Sequence, residues 1–184
     1  HNTGRTMRQI LPSLMDYIVR FLSSDEEDKR FTAGTALGEI VRKLGDRVLP
    51  AMVPILTEGL AADDSAKRQG ICRGLVELIN AAGKRNLQAY VENLILCVKT
   101  ALCDSDQEVR EAAATAFNAL QRHIGQEVTT AIFPVLLKML EEGNDKALLG
   151  IKEILSQKST DLLPYLVPKL ISPLPLGKFQ ANAI

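Results

Sequence analysis

Three stretches of this chain open the same pattern. Lys29-Arg30-Phe31, Lys67-Arg68-Gln69 and Val109-Arg110-Glu111 lie 38 and 42 residues apart. Seven residues after each Arg stand Leu37, Leu75 and Phe117, and ten after stand Ile40, Leu78 and Leu120. Fourteen after come Leu44, Ala82 and Ile124, and fifteen after come Gly45, Gly83 and Gly125. Offsets of 7, 10 and 14 fall on one face of a helix with 3.6 residues per turn. A Gly just past that stripe predicts a left-handed C-terminal cap. A second register precedes the first: Leu11-Pro12-Ser13-Leu14, Leu49-Pro50-Ala51-Met52, Phe133-Pro134-Val135-Leu136 and Leu163-Pro164-Tyr165-Leu166, with Glu92 in the proline's place in the third unit. Pro near a helix start is tolerated because the first amides have no intrahelical partner. The unit is therefore helix, tight turn, helix. One such pair cannot hide its apolar stripe alone, so units must stack.

The expected fold is all-α: an α-α superhelix, a solenoid of antiparallel helix pairs with HEAT or armadillo spacing. The units run over about 6–45, 46–83, 86–125 and 127–159, with a fifth over 161–184 cut short. The fourth is irregular. Aligning Ile151, Ile154 and Leu155 to the common stripe puts Asn144 at the Arg position, only ten residues after Pro134. That predicts eight residues missing around its turn. Residues 1–6 read as the exit of an earlier second helix, and 179–184 as the start of another. The chain is thus expected to be a fragment of a larger solenoid.

Enzymatic chemistry finds no foothold. His1 and His123 are the only histidines, and neither has Cys or carboxylate neighbours at metal-ligand spacing. His123 at the end of a helix is explained by the dipole. Cys72, Cys97 and Cys103 are odd in number and lack C-x-x-C spacing, so they read as small buried hydrophobes in a reducing compartment. Asp25 to Asp28 lack the Gly and later Glu of a calcium loop. Gly34, Gly38, Gly70 and Gly74 lie inside helices, where they let neighbours approach closely, rather than in a phosphate-cradling loop. No cofactor, metal or small-molecule substrate is expected. No apolar run approaches the ~20 residues of a membrane span.

The charges cancel overall, 22 basic against 22 acidic, yet they are sorted by turn. Turns within units are acidic: Asp25, Glu26, Glu27 and Asp28; Asp63 and Asp64; Asp104, Asp106 and Glu108; Glu141, Glu142 and Asp145. Turns between units are basic: Arg42, Lys43 and Arg47; Lys84 and Arg85; Arg122; Lys158. The helix dipole favours this sorting by itself. Because the two sets of turns project from opposite edges of a solenoid, they also predict a basic rim that tracks an RNA backbone or an acidic protein. No aromatics interleave with these bases, which disfavours single-strand stacking.

The segment Leu102-Cys103-Asp104-Ser105-Asp106-Gln107-Glu108-Val109-Arg110-Glu111-Ala112-Ala113 resembles the HEAT consensus. That resemblance implies a ladder of Asp and Arg side chains between repeats, here Arg30, Arg68 and Arg110 with Glu26, Asp64 and Asp106 four residues earlier. A closer likeness is carried by VRKLGDRVLPAMVPIL, ALCDSDQEVREAAATAF and LLPYLVPKL. These strings are similar to the giant eukaryotic translational activator of general amino-acid control, the stimulator of the kinase that phosphorylates initiation factor 2 alpha. The resemblance implies a cytoplasmic, non-catalytic, ribosome-associated scaffold with protein partners, among them the ribosome and that kinase; the basic rim adds the expectation of a contact to ribosomal RNA or an acidic partner. The competing expectation is a generic HEAT adaptor, such as a nuclear-transport receptor or phosphatase scaffold.

Overall fold

The computed structural model describes residues 3–157 and Val167, and all regular structure among them is helical. The helices are α1 (Thr3–Leu22), α2 (Glu27–Leu44), α3 (Leu49–Gly59), α4 (Ser65–Ala81), α5 (Lys84–Gln88), α6 (Val91–Leu102), α7 (Gln107–Ile124), α8 (Gln126–Glu141) and α9 (Asp145–Gln157), with a 3-10 turn at Gly45–Arg47. Turns of a few residues join α1 to α2, α3 to α4, α6 to α7 and α8 to α9, so each pair is an antiparallel hairpin. α1, α3, α6 and α8 stack as one layer, and α2, α4, α7 and α9 as the other. The molecule is an all-α solenoid. The fifth unit expected from sequence, and Lys158 with it, lies outside the described residues.

Between the layers runs one apolar core. The residues seven after each Arg, Leu37, Leu75 and Phe117, are fully buried. Leu78, Leu120, Ala82 and Ile124 join them, whereas Ile40 and Leu44 at the first unit are half-buried. On α1, Ile10, Leu14, Tyr17 and Phe21 are exposed along one face. Their counterparts 38 residues on are Val48, Met52, Ile55 and Gly59, of which Val48 and Met52 are fully buried. The α1 stripe thus occupies positions that later repeats pack inward.

Several expectations are corrected. Thr3 to Thr6 belong to α1 rather than to an earlier helix. Among the described residues only Pro50 sits in a first turn; Pro12, Pro54 and Pro134 lie inside their helices, and Pro164 lies outside the described residues. All three interior rings face solvent, where water can satisfy the freed carbonyl. Gly45 and Gly125 adopt φ of 46° and 100°, but Gly83 has φ −69°. There the helix ends earlier, because Ala82 is already extended. Asn144 is not the Arg equivalent. Its Oδ1 accepts the Lys146 amide at 3.1 Å, as Asp64 accepts from Ala66 at 3.0 Å and Asp106 from Glu108 at 2.9 Å. Pro50 to Asp64 and Glu92 to Asp106 each span fourteen residues and Pro134 to Asn144 ten, so four residues are missing, not eight. α8 closes on Gly143 at φ 84°, with the Asn144 amide reaching the Met139 carbonyl at 2.9 Å.

Helix α4 approaches α1 closely at Gly70, where a Cβ would stand 2.8 Å from the Val19 carbonyl and 3.1 Å from the Ser23 amide. Gly74 meets Leu22 and Leu37, and Gly34 meets the Glu77 side chain, while Gly38 meets only Arg42 of its own helix. Gly70→Ala is expected to cost about 1–3 kcal/mol by overpacking. Gly83→Ala is the control: nothing lies within 4 Å and φ is ordinary, so its effect stays within about 0.4–1 kcal/mol on the stabilising side. Urea unfolding of both variants checks the contrast.

Candidate functional site

The acidic edge is largely occupied with holding the fold together. Arg30, Arg68 and Arg110 anchor in one manner: the Nη1 of each donates to two carbonyls of the turn before its own helix. For Arg30 these are Ser24 and Asp25 at 2.8 and 2.7 Å, for Arg68 Ala62 and Asp63 at 2.8 and 2.8 Å, and for Arg110 Asp104 and Ser105 at 3.0 and 2.9 Å. The acids four residues earlier are not their partners. Asp64 and Asp106 cap helices, and Glu26 pairs with Lys29. A helix-local spacing placed them wrongly because the Arg side chain runs back past the cap.

The cross-repeat partner is Asp104. Arg68 Nε donates to its Oδ2 at 2.7 Å and Nη2 to its Oδ1 at 2.9 Å, a bidentate pair with both side chains 13% exposed. Burial alone would raise the Asp104 pKa. The hydrogen bonds from Arg68 and the Asp106 amide, with the charges of Arg68 and Lys146, outweigh it and hold the carboxyl below its ordinary range. The Asp104 hydrogen bond raises Arg68 in turn, against desolvation. Beside this rung Gln69 Nε2 donates to Glu108 at 3.0 Å.

The rung does not recur at either neighbouring junction. Two residues before the α9 cap, where Asp104 stands before α7, is Glu142. It ends a helix closed on Gly143 and lies 4.0 Å from Lys138. Arg110 is 5% exposed, and its Nε is buried without a partner. At the first junction Ala62 replaces the acid. Besides apolar packing, the side-chain hydrogen bonds between α9 and α7 among the described residues come from Gln157. Its Oε1 accepts from Thr115 and Asn118, each at 3.2 Å, and its Nε2 donates to the Glu111 carbonyl at 2.9 Å. Sequence reasoning missed Gln157, an ordinary surface residue with no periodic counterpart.

On the opposite edge Arg42, Lys43, Arg47, Lys84, Arg85 and Arg122 are all exposed. They are not equivalent. Glu39 takes Arg42 at 2.9 Å and Lys43 at 3.7 Å, and the Arg42 hydrogen bond first, then its charge, lowers the Glu39 pKa. Arg47, Lys84, Arg85 and Arg122 form no ion pair with a described residue. The first two basic turns adjoin, since the Asn86 side chain lies 3.6 Å from the Cβ position of Gly45. The second and third are bridged by Gln88 Nε2 to Glu127 at 3.2 Å.

Burial, then the Asp104 and Cys97 charges, push the Cys72 thiol up to about 12. Burial also raises Cys97, which contacts the Thr57 hydroxyl at 3.2 Å, and raises Cys103. Among the described residues no group of His, Cys, Asp and Glu has the arrangement to hold a metal ion, and no helix is long and apolar enough to cross a membrane.

The family model described as stalled ribosome sensor GCN1-like, HEAT repeats, matches residues 3–153. Stalled ribosome sensor GCN1 of Mus musculus and of Homo sapiens are each 45% identical over 174 residues, covering 94% of this chain. The eIF-2-alpha kinase activator GCN1 of Saccharomyces cerevisiae is 38% identical over 186 residues and covers 100% of it. The chain spans only 6% of the length of the first two and 7% of the third.

Proposed function

This chain belongs to the stalled ribosome sensor GCN1-like HEAT repeats, and we propose that it serves as a non-catalytic scaffold segment of a cytoplasmic, ribosome-associated activator of the initiation factor 2 alpha kinase. Family membership carries this reading and sets the nuclear-transport or phosphatase adaptor behind it. The exposed basic edge gives the segment a surface to use. Its working charges are Arg47, Lys84, Arg85 and Arg122, because Glu39 shares out the charge of Arg42 and Lys43. A row of such cations attracts phosphates of ribosomal RNA or an acidic protein face, with an affinity that falls as salt rises.

The test is charge reversal in the full-length protein. Replacing Arg47, Lys84 and Arg85 by Glu is expected to reduce co-sedimentation with ribosomes at low salt and to flatten its salt dependence. Reversal of Arg42 and Lys43 has the smaller effect. Co-sedimentation unchanged by the triple reversal refutes the basic edge as a ribosome contact. Loss of kinase activation with co-sedimentation intact assigns the edge to a protein partner instead.

A further inference from the structure

The junction between the first two repeats is built like the next one, with three substitutions that empty it. At the second junction Arg68 grips Asp104 and Gln69 reaches Glu108. Counting back by the repeat, Arg30 stands for Arg68, Phe31 for Gln69, Ala62 for Asp104 and Ala66 for Glu108. Both acids have become Ala and the Gln has become Phe. Arg30 keeps the anchor, with Nη1 on the Ser24 and Asp25 carbonyls, so it is held in the orientation that turns Nε and Nη2 outward in Arg68. No described residue partners those two groups. Phe31 is 74% exposed beside it.

A second cation sharpens the site. Arg73 Nη1 donates at 2.8 Å to the carbonyl of Leu22 at the end of α1, just before the turn that anchors Arg30. Burial lowers the Arg73 pKa first, and the Arg30 charge lowers it next. Neither has an ion pair among the described residues.

We propose that Arg30, Arg73, Phe31, Ala62 and Ala66 form a docking site for a protein segment that carries one acidic side chain flanked by an aliphatic residue. The carboxylate takes the place that Asp104 fills at the next junction, bidentate on Arg30 Nε and Nη2. The aliphatic neighbour packs on Phe31 across the two alanines. An exposed aromatic beside an Arg is the composition that concentrates binding energy. A nucleic-acid strand fits this place poorly. Asp25, Glu26, Glu27 and Asp28 lie on the same turn and repel a run of phosphates, whereas a single carboxylate needs one subsite. The site is separate from the basic edge and does not depend on it.

The experiment uses fluorescence anisotropy with this chain and three labelled probes: a short peptide with a central Leu-Asp-Leu, its Leu-Asn-Leu counterpart, and an oligouridylate of equal length. The Asp peptide is expected to bind at least about tenfold more tightly than the Asn peptide. Arg30→Gln is expected to abolish that preference, and Phe31→Gln to weaken both peptides. Ala62→Asp supplies the missing carboxylate within the chain. It is expected to block the Asp peptide and to raise the melting midpoint by roughly 2–4 °C. Equal affinity for the two peptides, no peptide binding, stronger binding of the oligouridylate, or Asp-peptide binding that survives Ala62→Asp each overturns the proposal.

Discussion

Phe117→Ala is expected to lower the stability of this chain by about 3–5 kcal/mol, the cost of removing a large aromatic from a packed core. Phe117 is fully buried, and its ring meets Phe133 edge-on at 5.9 Å and 76°. It is the stripe position where the first two repeats carry Leu37 and Leu75, so the third repeat places a ring there that meets Phe133 of the fourth. In a stacked array each repeat leans only on its neighbours. The loss should therefore be felt first across α6 to α9, as faster amide exchange there than in α1 and α2. Phe31→Ala, at an exposed ring, is expected within about 0.5 kcal/mol of the parent chain. Urea unfolding followed by circular dichroism measures both; a loss below about 1 kcal/mol at Phe117 contradicts the packing described.

Asp104→Ala is the second large effect, about 2–3 kcal/mol, because it strands a mostly buried guanidinium. It also removes the Oδ1 acceptor of the Asp106 amide. Asp104→Asn is expected to recover part of the loss by keeping an acceptor for Arg68 and for that amide. The pair carries a pH signature of definite sign. The Asp104 pKa is lower in the folded chain than its ordinary value, so the unfolded chain binds the proton more readily. The pair's stabilisation is complete above the ordinary carboxylate range and is lost as pH falls through the lower, folded value. Acid titration of the unfolding free energy should show a drop in that window that is absent from Asp104→Ala. A variant whose acid limb matches that of the parent would show that Asp104 is not a source of it.

The array itself was legible in the sequence because a helix face repeats every 3.6 residues and a tandem array repeats the whole pattern. Leu37, Leu75 and Phe117 could be named as core from spacing alone. The ladder was misread for a physical reason. Spacing within one helix says which residues share a face, but not how far one repeat slides past the next. Arg68 finds its carboxylate 36 residues away, in the following turn. Laying Ile151, Ile154 and Leu155 on the common stripe puts the fourth repeat four residues out of register, because the cap role of Asn144 depends on backbone geometry that the apolar pattern does not carry. Gly143 and Gln157 gave no periodic signal at all. The sorting of charge into two edges was visible. That Glu39 draws off Arg42 and Lys43 was not, since it needs the positions of three side chains on one helix end.

The four-residue steps in this chain have a consequence for how its length can change. The fourth repeat has four fewer residues from its proline position to its helix cap than the second and third. From the recurring Gly to the proline position is a step of nine residues at the second and third inter-repeat turns and of five at the first. Four residues advance a helix by about 400°, so the apolar stripe returns to within about 40° of where it was. One residue turns it by about 100°, and two by about 200°. The segment therefore has a phase as well as a sequence. Insertions near a full turn leave the stack in step, while a single inserted residue within α8 would swing Leu136 out of the core and put Lys138 toward it.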